Sequence, residues 1–223
     1  MTVLPAFAEV AAQPDASLDV IALALASEFR PVDATVALQT LDDLGEELKR
    51  VTHTARAGGD AEAEARACVG LLGVTHGFTG DQEHYDDPVN SMLDLVLERR
   101  RGLPILLSVV YAEVARRAGI PIAGVGLGGH FVVGHFGADP PLLLDPFGDG
   151  AIVDTEPAHA VTKPWSNHEI AMRMLNNLIG SFQRRGDLHA AIRAAEMRLT
   201  LPAPPELDGT LRSELLAIQA RLN

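Results

Sequence analysis

The sequence predicts an α+β chain: helices first, a short run of strands next, and helices again at the end. Three observations predict it. Apolar residues recur at helical spacing through the first half of the chain. Then come PIAGVGL, HFVVGHF and PLLLDPF, three short Val- and Leu-rich segments bounded by Gly and Pro, which read as an antiparallel meander. From about residue 167 the helical spacing returns. Segregated helices and strands argue against a doubly wound parallel sheet, which needs them to alternate.

The first helix is expected over 17–30, capped by Ser17 or Asp15, with Leu18, Ile21, Ala22 and Leu25 on one face. A second, over 33–56, carries Val36, Leu38, Leu41, Leu44 and Leu48, and breaks at Gly58-Gly59-Asp60. A third, over 60–73, has Asp60 as its cap and Gly73 near its end. THGFTGDQEHYDDP, 75–88, is polar and reads as a loop. NSMLDLVLERRRG follows, capped by Asn90 or Asp87, with Met92, Leu93, Val96 and Leu97 as its buried stripe. Arg99, Arg100 and Arg101 suit the negative end of the helix dipole, and Gly102 is the expected left-handed stop. Their plain reading is a solvated helix end; one of them could instead pair with Asp94 or meet an acidic partner.

Pro104 opens the next helix, at the position where a missing N–H costs nothing, and Gly119 closes it. After the strands, Ile170, Met174, Leu175, Leu178 and Phe182 form one stripe and Leu188, Ala191, Ile192, Ala195 and Leu199 another, joined by Gly186-Asp187. This pair, followed by Pro202, resembles one tetratricopeptide unit; an ordinary helical hairpin is the other reading. One unit cannot form a solenoid, so it should pack on the rest, with a last helix over 205–221 covering it. The expected segments are a helical part at 1–74, a core at 75–160 and a helical tail at 165–223.

The 223 residues are 47% apolar but only 4% aromatic, so the core must be built from Ala, Leu, Val and Ile. A formal charge of -12 argues against nucleic acid and against anionic membranes as partners. The one cysteine, Cys68, excludes an internal disulfide and a thiolate-rich zinc site. With no secretory leader pattern and no apolar run of about 18 residues, a cytoplasmic location is expected.

Two residues stand out chemically. His130 begins the second strand and Asp145 ends the third, and neighbouring antiparallel strands can bring such ends together. A carboxylate that accepts from an imidazole orients the ring and stabilises its charged form, which is the base-and-orienter half of a catalytic triad. A structural tie between strands is the competing reading.

The run YDDPVNSMLDLVLERRRGLPILLSVVYAEVARRAGIPIAGVGLGGHFVV, followed by LLLDPFGDG, resembles the transglutaminase-like superfamily. More narrowly it is similar to a bacterial branch that joins such a core to a tetratricopeptide-like tail, once named after an invasion regulator. The resemblance implies a transglutaminase- or papain-like core with a small antiparallel sheet. It also implies a triad of Cys at a helix start, then His and Asp on strands. His130 and Asp145 match the last two. Counting back from Gly119 puts the nucleophile's place at Pro104 or Ile105, neither of which can attack a carbonyl. A helix N-terminus is where a thiolate would be stabilised; here a pyrrolidine ring fills it.

Three replacements for the nucleophile come into question. Cys68 sits in the apolar run ACVGLLG and reads as a buried small hydrophobe. Ser108 lies one turn into the helix, where a serine usually bonds a carbonyl behind it. His76, His84, His130 and His135 lack metal-site spacing, and His130 and His135 lie on opposite sides of a strand, so no metal and no cofactor is expected. Asn90, Ser108 and Gly129 are candidates to line the same cleft, while Tyr85 and Tyr111 read as core or rim. The glycines at 124, 126, 128, 129 and 134 lack the strand-loop-helix context of a phosphate cradle and should serve turns and close strand packing. The expectation is a non-catalytic binding or scaffold protein with a protein or peptide partner. The alternative is an atypical acyl-transfer enzyme or amide hydrolase using His130 and Asp145 with water or Ser108.

Overall fold

The computed structural model describes residues 4–148, 150–153 and 162–222. The expected boundary at 160 lies outside them. Nine α-helices and six strands are described: α1 (Phe7–Ala11), α2 (Leu18–Ser27), α3 (Ala34–Gly58), α4 (Ala61–Val69), β1 (Thr79–Gly80), α5 (Leu93–Arg99), β2 (Arg101–Gly102), α6 (Pro104–Ala118), β3 (Ile122–Leu127), β4 (His130–His135), β5 (Leu142–Asp145), β6 (Ala151–Ile152), α7 (Asn167–Arg184), α8 (Leu188–Arg198) and α9 (Pro205–Gln219). The mixed α+β class is as the sequence predicts. β3-β4-β5-β6 form an antiparallel meander, and β1 pairs with β2 in parallel as a separate two-residue ladder.

α2 and α6 are apolar on nearly every face because both run through the interior. On α2 Leu23, Ala24 and Ala26 are buried along with the predicted stripe. α6 packs on α3 and, across its other side, on β3 and β4. One apolar cluster includes Phe7, Ile21, Leu41, Leu106, Val133, Leu178 and Ala195, so side chains from the first helices, the sheet and the tail share a core. A smaller cluster of Val125, Val132 and Leu143 lies on the sheet's other face.

A buried charge network ties three helices. Arg117 donates to Asp19 at 2.6 Å, to Asp42 at 2.6 Å and to Glu113 at 2.8 Å. Gly45 of α3 lets the Arg117 stem pass, since a Cβ there would lie 2.4 Å from Arg117 Cβ. Burial pushes the Asp19 carboxyl up, but hydrogen bonds from Ser17, Arg117 and the Val20 N–H outweigh it and leave it below its ordinary value. Glu113 goes the other way, raised by burial and by the Asp19 charge.

Several local expectations need correction. Val36 is exposed, because the buried stripe of α3 runs through Ala34, Ala37, Leu41, Leu44 and Leu48. Gly73 does not stop α4; the chain continues as a π-helical turn over Gly70–Thr75. The left-handed residue after α5 is Arg100, at φ 56°, not Gly102. Gly102 is needed for space instead: a Cβ there would meet Val96 Cγ2 at 2.9 Å. Asn90 does not cap α5; it lies in a 3-10 turn, Pro88–Ser91, that Asp87 caps through the Val89 N–H.

The tail follows its sequence closely. Ser166 and Glu169 form a reciprocal capping box on α7, Gly186 turns at φ 77°, and Asp187 caps α8 by accepting from the Ala190 N–H. Among the described residues no helix is long and apolar enough to cross a membrane.

Candidate functional site

Chain geometry alone brings three sequence positions to one end of the sheet. α6 has 15 residues, a length of about 22 Å at 1.5 Å per residue. β3 returns over 6 residues, about 20 Å. The start of α6 and the β3–β4 turn therefore lie at the same end. Gly128-Gly129 make that turn, with Leu127 paired to His130 and Gly129 left-handed at φ 86°. β5 runs antiparallel to β4, so its last residue, Asp145, comes back to the same end.

The register then sets the contact. Val133 faces Leu144, so Asp145 is level with Val132, two residues from His130 on the same side of β4. His130 Nε2 lies 2.9 Å from Asp145 Oδ2. Asp145 Oδ1 accepts from the Phe147 N–H at 3.0 Å, so both carboxylate oxygens are held. Gly148 is required beside them, since a Cβ there would lie 2.8 Å from Asp145 Oδ2. The His130 side chain keeps 43% of its surface in contact with solvent, against 18% for Asp145.

Phe147 connects this pair to the start of α6. Its ring lies over Gly80, where a Cβ would come within 2.5 Å of it, and Tyr85 meets it edge-on at 6.0 Å. Gly80 pairs with Gly102 on β2, two residues before Pro104. Pro104 is the first residue of α6 and is buried, as is Ile105.

Other sequence candidates are placed elsewhere. Ser108 is fully buried and its Oγ has no hydrogen-bond partner among the described residues, so it is not paired with His130. Cys68 is fully buried, and burial pushes its thiol up to about 12, far from a reactive thiolate. Asn90 is also fully buried rather than lining an open cleft. Its Nδ2 donates to the His84 carbonyl at 2.8 Å and its Oδ1 accepts from Arg99 at 2.9 Å. Gly129 is exposed in its turn. The three arginines separate: Arg99 donates to buried Asp81 at 3.0 Å, Arg100 donates to the His76 carbonyl, and Arg101 is exposed. Asp94 pairs with Arg30 instead.

Strand β4 carries a second His–carboxylate pair that the sequence did not disclose. His135, at the far end of β4, is 1% exposed, and its Nε2 lies 2.7 Å from Glu64 Oε2. Its Nδ1 accepts from the Gly137 N–H at 3.1 Å, so the ring proton sits on Nε2 and is donated to Glu64. One strand thus carries a sealed pair at one end and a solvent-reached pair at the other. Only the odd spacing of 130 and 135 hinted at the difference.

Comparison with known proteins gives the frame a family. The family model for the transglutaminase-like superfamily matches residues 35–176. A UPF0162 protein of Xylella fastidiosa (strain 9a5c) is 36% identical over 149 residues, 58% of this chain and 53% of that protein. The chain thus spans about half the length of this relative. A UPF0162 protein of Pseudomonas aeruginosa is 31% identical over 221 residues, 92% of this chain and 79% of that one. The F-box only protein 21 of Homo sapiens is 27% identical over 163 residues, which are 65% of this chain and 25% of that protein. No solved structure matches.

Proposed function

The chain belongs to the transglutaminase-like superfamily, and on that footing we propose that it is a non-catalytic binding or scaffold protein for a protein or peptide partner. One observation carries the reading: Pro104 is the first residue of α6, at the nucleophile's expected place, while a solvent-reached His130–Asp145 pair stands at the same end of the sheet. Proline supplies neither a nucleophile nor an N–H. An orienting carboxylate and a base then remain with nothing covalent to activate. Buried Ser108 and buried Cys68 do not offer a substitute. In the human relative the matched region is 25% of that protein, so a core of this kind also occurs as one part of a longer protein.

A second reading rests on the exposure of His130. A half-exposed imidazole held by a carboxylate can take a proton from water, and such a base would support amide or ester hydrolysis without a protein nucleophile. Assays of glutamine-amide hydrolysis, hydroxamate formation and activated-ester cleavage decide between the two. The first reading expects wild type and His130→Ala to match the uncatalysed rate. Turnover in wild type that disappears in His130→Ala overturns it in favour of the second.

A further inference from the structure

A cavity of about 420 Å³ opens between α7 and the Pro202-Ala203-Pro204 link from α8 to α9. That volume falls within the range of about 300–1,000 Å³ typical of small-molecule sites. Trp165 and Met172 form one wall, and Pro202, Pro204 and Leu207 the other. Leu207 is 43% exposed, a large apolar side chain left at the mouth. None of these residues belongs to the His130–Asp145 site.

The polar groups give the cavity a sign. Arg173 is half-buried in its wall and has no hydrogen-bond or ion-pair partner among the described residues. Arg101 and Arg221 also lack one among the described residues, but both are exposed rather than set in a cavity wall, in a chain where 30 acidic residues face 18 basic ones. Arginines lining three other cavities are all paired: Arg116 with Glu113, Arg193 with Glu28 and Arg30 with Asp94. The carboxylate nearest in sequence, Glu169, also lines the cavity, but its Oε2 is held by the Ser166 N–H at 2.7 Å and the Ser166 hydroxyl at 2.8 Å. Asn176 gives its Oδ1 to Arg198 at 2.8 Å, which leaves its amide N–H groups as a second donor on the same wall.

We propose that this cavity binds a small amphipathic anion, an aromatic or branched apolar body seated between Trp165, Met172 and Leu207 with one carboxylate on Arg173. Guanidinium geometry matches a carboxylate with two parallel N–H donors. The carboxylate is carried either by a free organic acid or by the chain end of a short peptide.

Trp165 is the chain's one tryptophan, so its fluorescence reads the wall directly. The full chain is titrated with 3-phenylpropionate, with 3-phenylpropionamide, and with N-acetyl-Ala-Phe bearing a free carboxylate. The expected result is a saturable change for the acids, about tenfold weaker for the amide and in Arg173→Ala. Tighter binding of the peptide assigns the site to chain ends; tighter binding of phenylpropionate assigns it to free acids, and either supports the proposal. Trp165 also borders the neighbouring cavity that holds Arg116, so Arg116→Ala serves as the control and should bind as wild type does. No saturable change, equal binding of acid and amide, or loss in Arg116→Ala but not in Arg173→Ala overturns it.

Discussion

Replacing each histidine of β4 by alanine tests whether the solvent-reached pair, like the sealed one, is a structural tie. His135→Ala removes a ring that is 1% exposed, strands the Glu64 carboxylate, and leaves the Gly137 N–H without its acceptor. A hydrogen bond to a charged group is worth about 1.5–3 kcal/mol, and a stranded buried group adds about 1–3 kcal/mol. Arg56, whose Nε lies 3.9 Å from Glu64, compensates only in part. The expected loss is about 3–5 kcal/mol. His130→Ala removes a ring that is 43% exposed, and water can replace it on Asp145. A solvent-reached ion pair contributes about 0–1 kcal/mol. For a chain of this size 1 kcal/mol moves Tm by about 2–4 °C. His130→Ala should therefore melt within about 4 °C of wild type and His135→Ala about 6–20 °C below it. Urea unfolding with matched m-values gives the same comparison in free energy. If His130→Ala is as destabilising as His135→Ala, the first pair is a tie and the functional reading of it is wrong.

Two further outcomes follow from the buried charges. Arg117→Ala should cost about 3 kcal/mol, because it leaves Asp19 and Glu113 buried with only Arg116 beside them, and urea unfolding checks it. A loss under about 1 kcal/mol contradicts the network's role in joining α2, α3 and α6. Asp81 sets an acid limb. Burial pushes its carboxyl up, but the His84 N–H, Asn90 and Arg99 outweigh that and hold it below its ordinary value. Its contribution is complete above about pH 4, the unfolded value, and is lost as pH falls through the lower folded value. The stability gap between wild type and Asp81→Asn should thus be widest near neutrality and shrink below about pH 4; a gap independent of pH refutes the assignment.

Much of the frame was legible because its signals are local. Pro104, Gly119, Asp60, Asp187 and the Gly128-Gly129 turn each fix a boundary through their own backbone chemistry. The His130–Asp145 contact was legible because an antiparallel meander returns the end of one strand to the start of another. What depends on distant neighbours was not. The role of Asn90 as a buried clamp follows from Arg99 and His84 folding onto it. Arg100 adopts φ 56° because the chain must turn straight from α5 into β2, where Thr79 donates to the Arg100 carbonyl. Gly126 carries no turn at all; a Cβ there would lie 2.1 Å from the Trp165 ring, a constraint set some forty residues away. The His135–Glu64 tie joins β4 to α4 across the core, and no spacing in the sequence announces it.

The central claim is that Pro104 occupies the nucleophile's place in a frame that otherwise persists. The direct measurement is the rate of alkylation of Pro104→Cys by iodoacetamide across pH, alone and combined with His130→Ala. Wild type supplies the background, because its Cys68 is buried with its thiol pushed up to about 12. If the claim holds, the introduced thiol reacts with an apparent pKa below the ordinary cysteine value of about 8.5, and His130→Ala returns it toward that value. A thiol that is inert, or that titrates near 8.5 whether or not His130 is present, contradicts the claim.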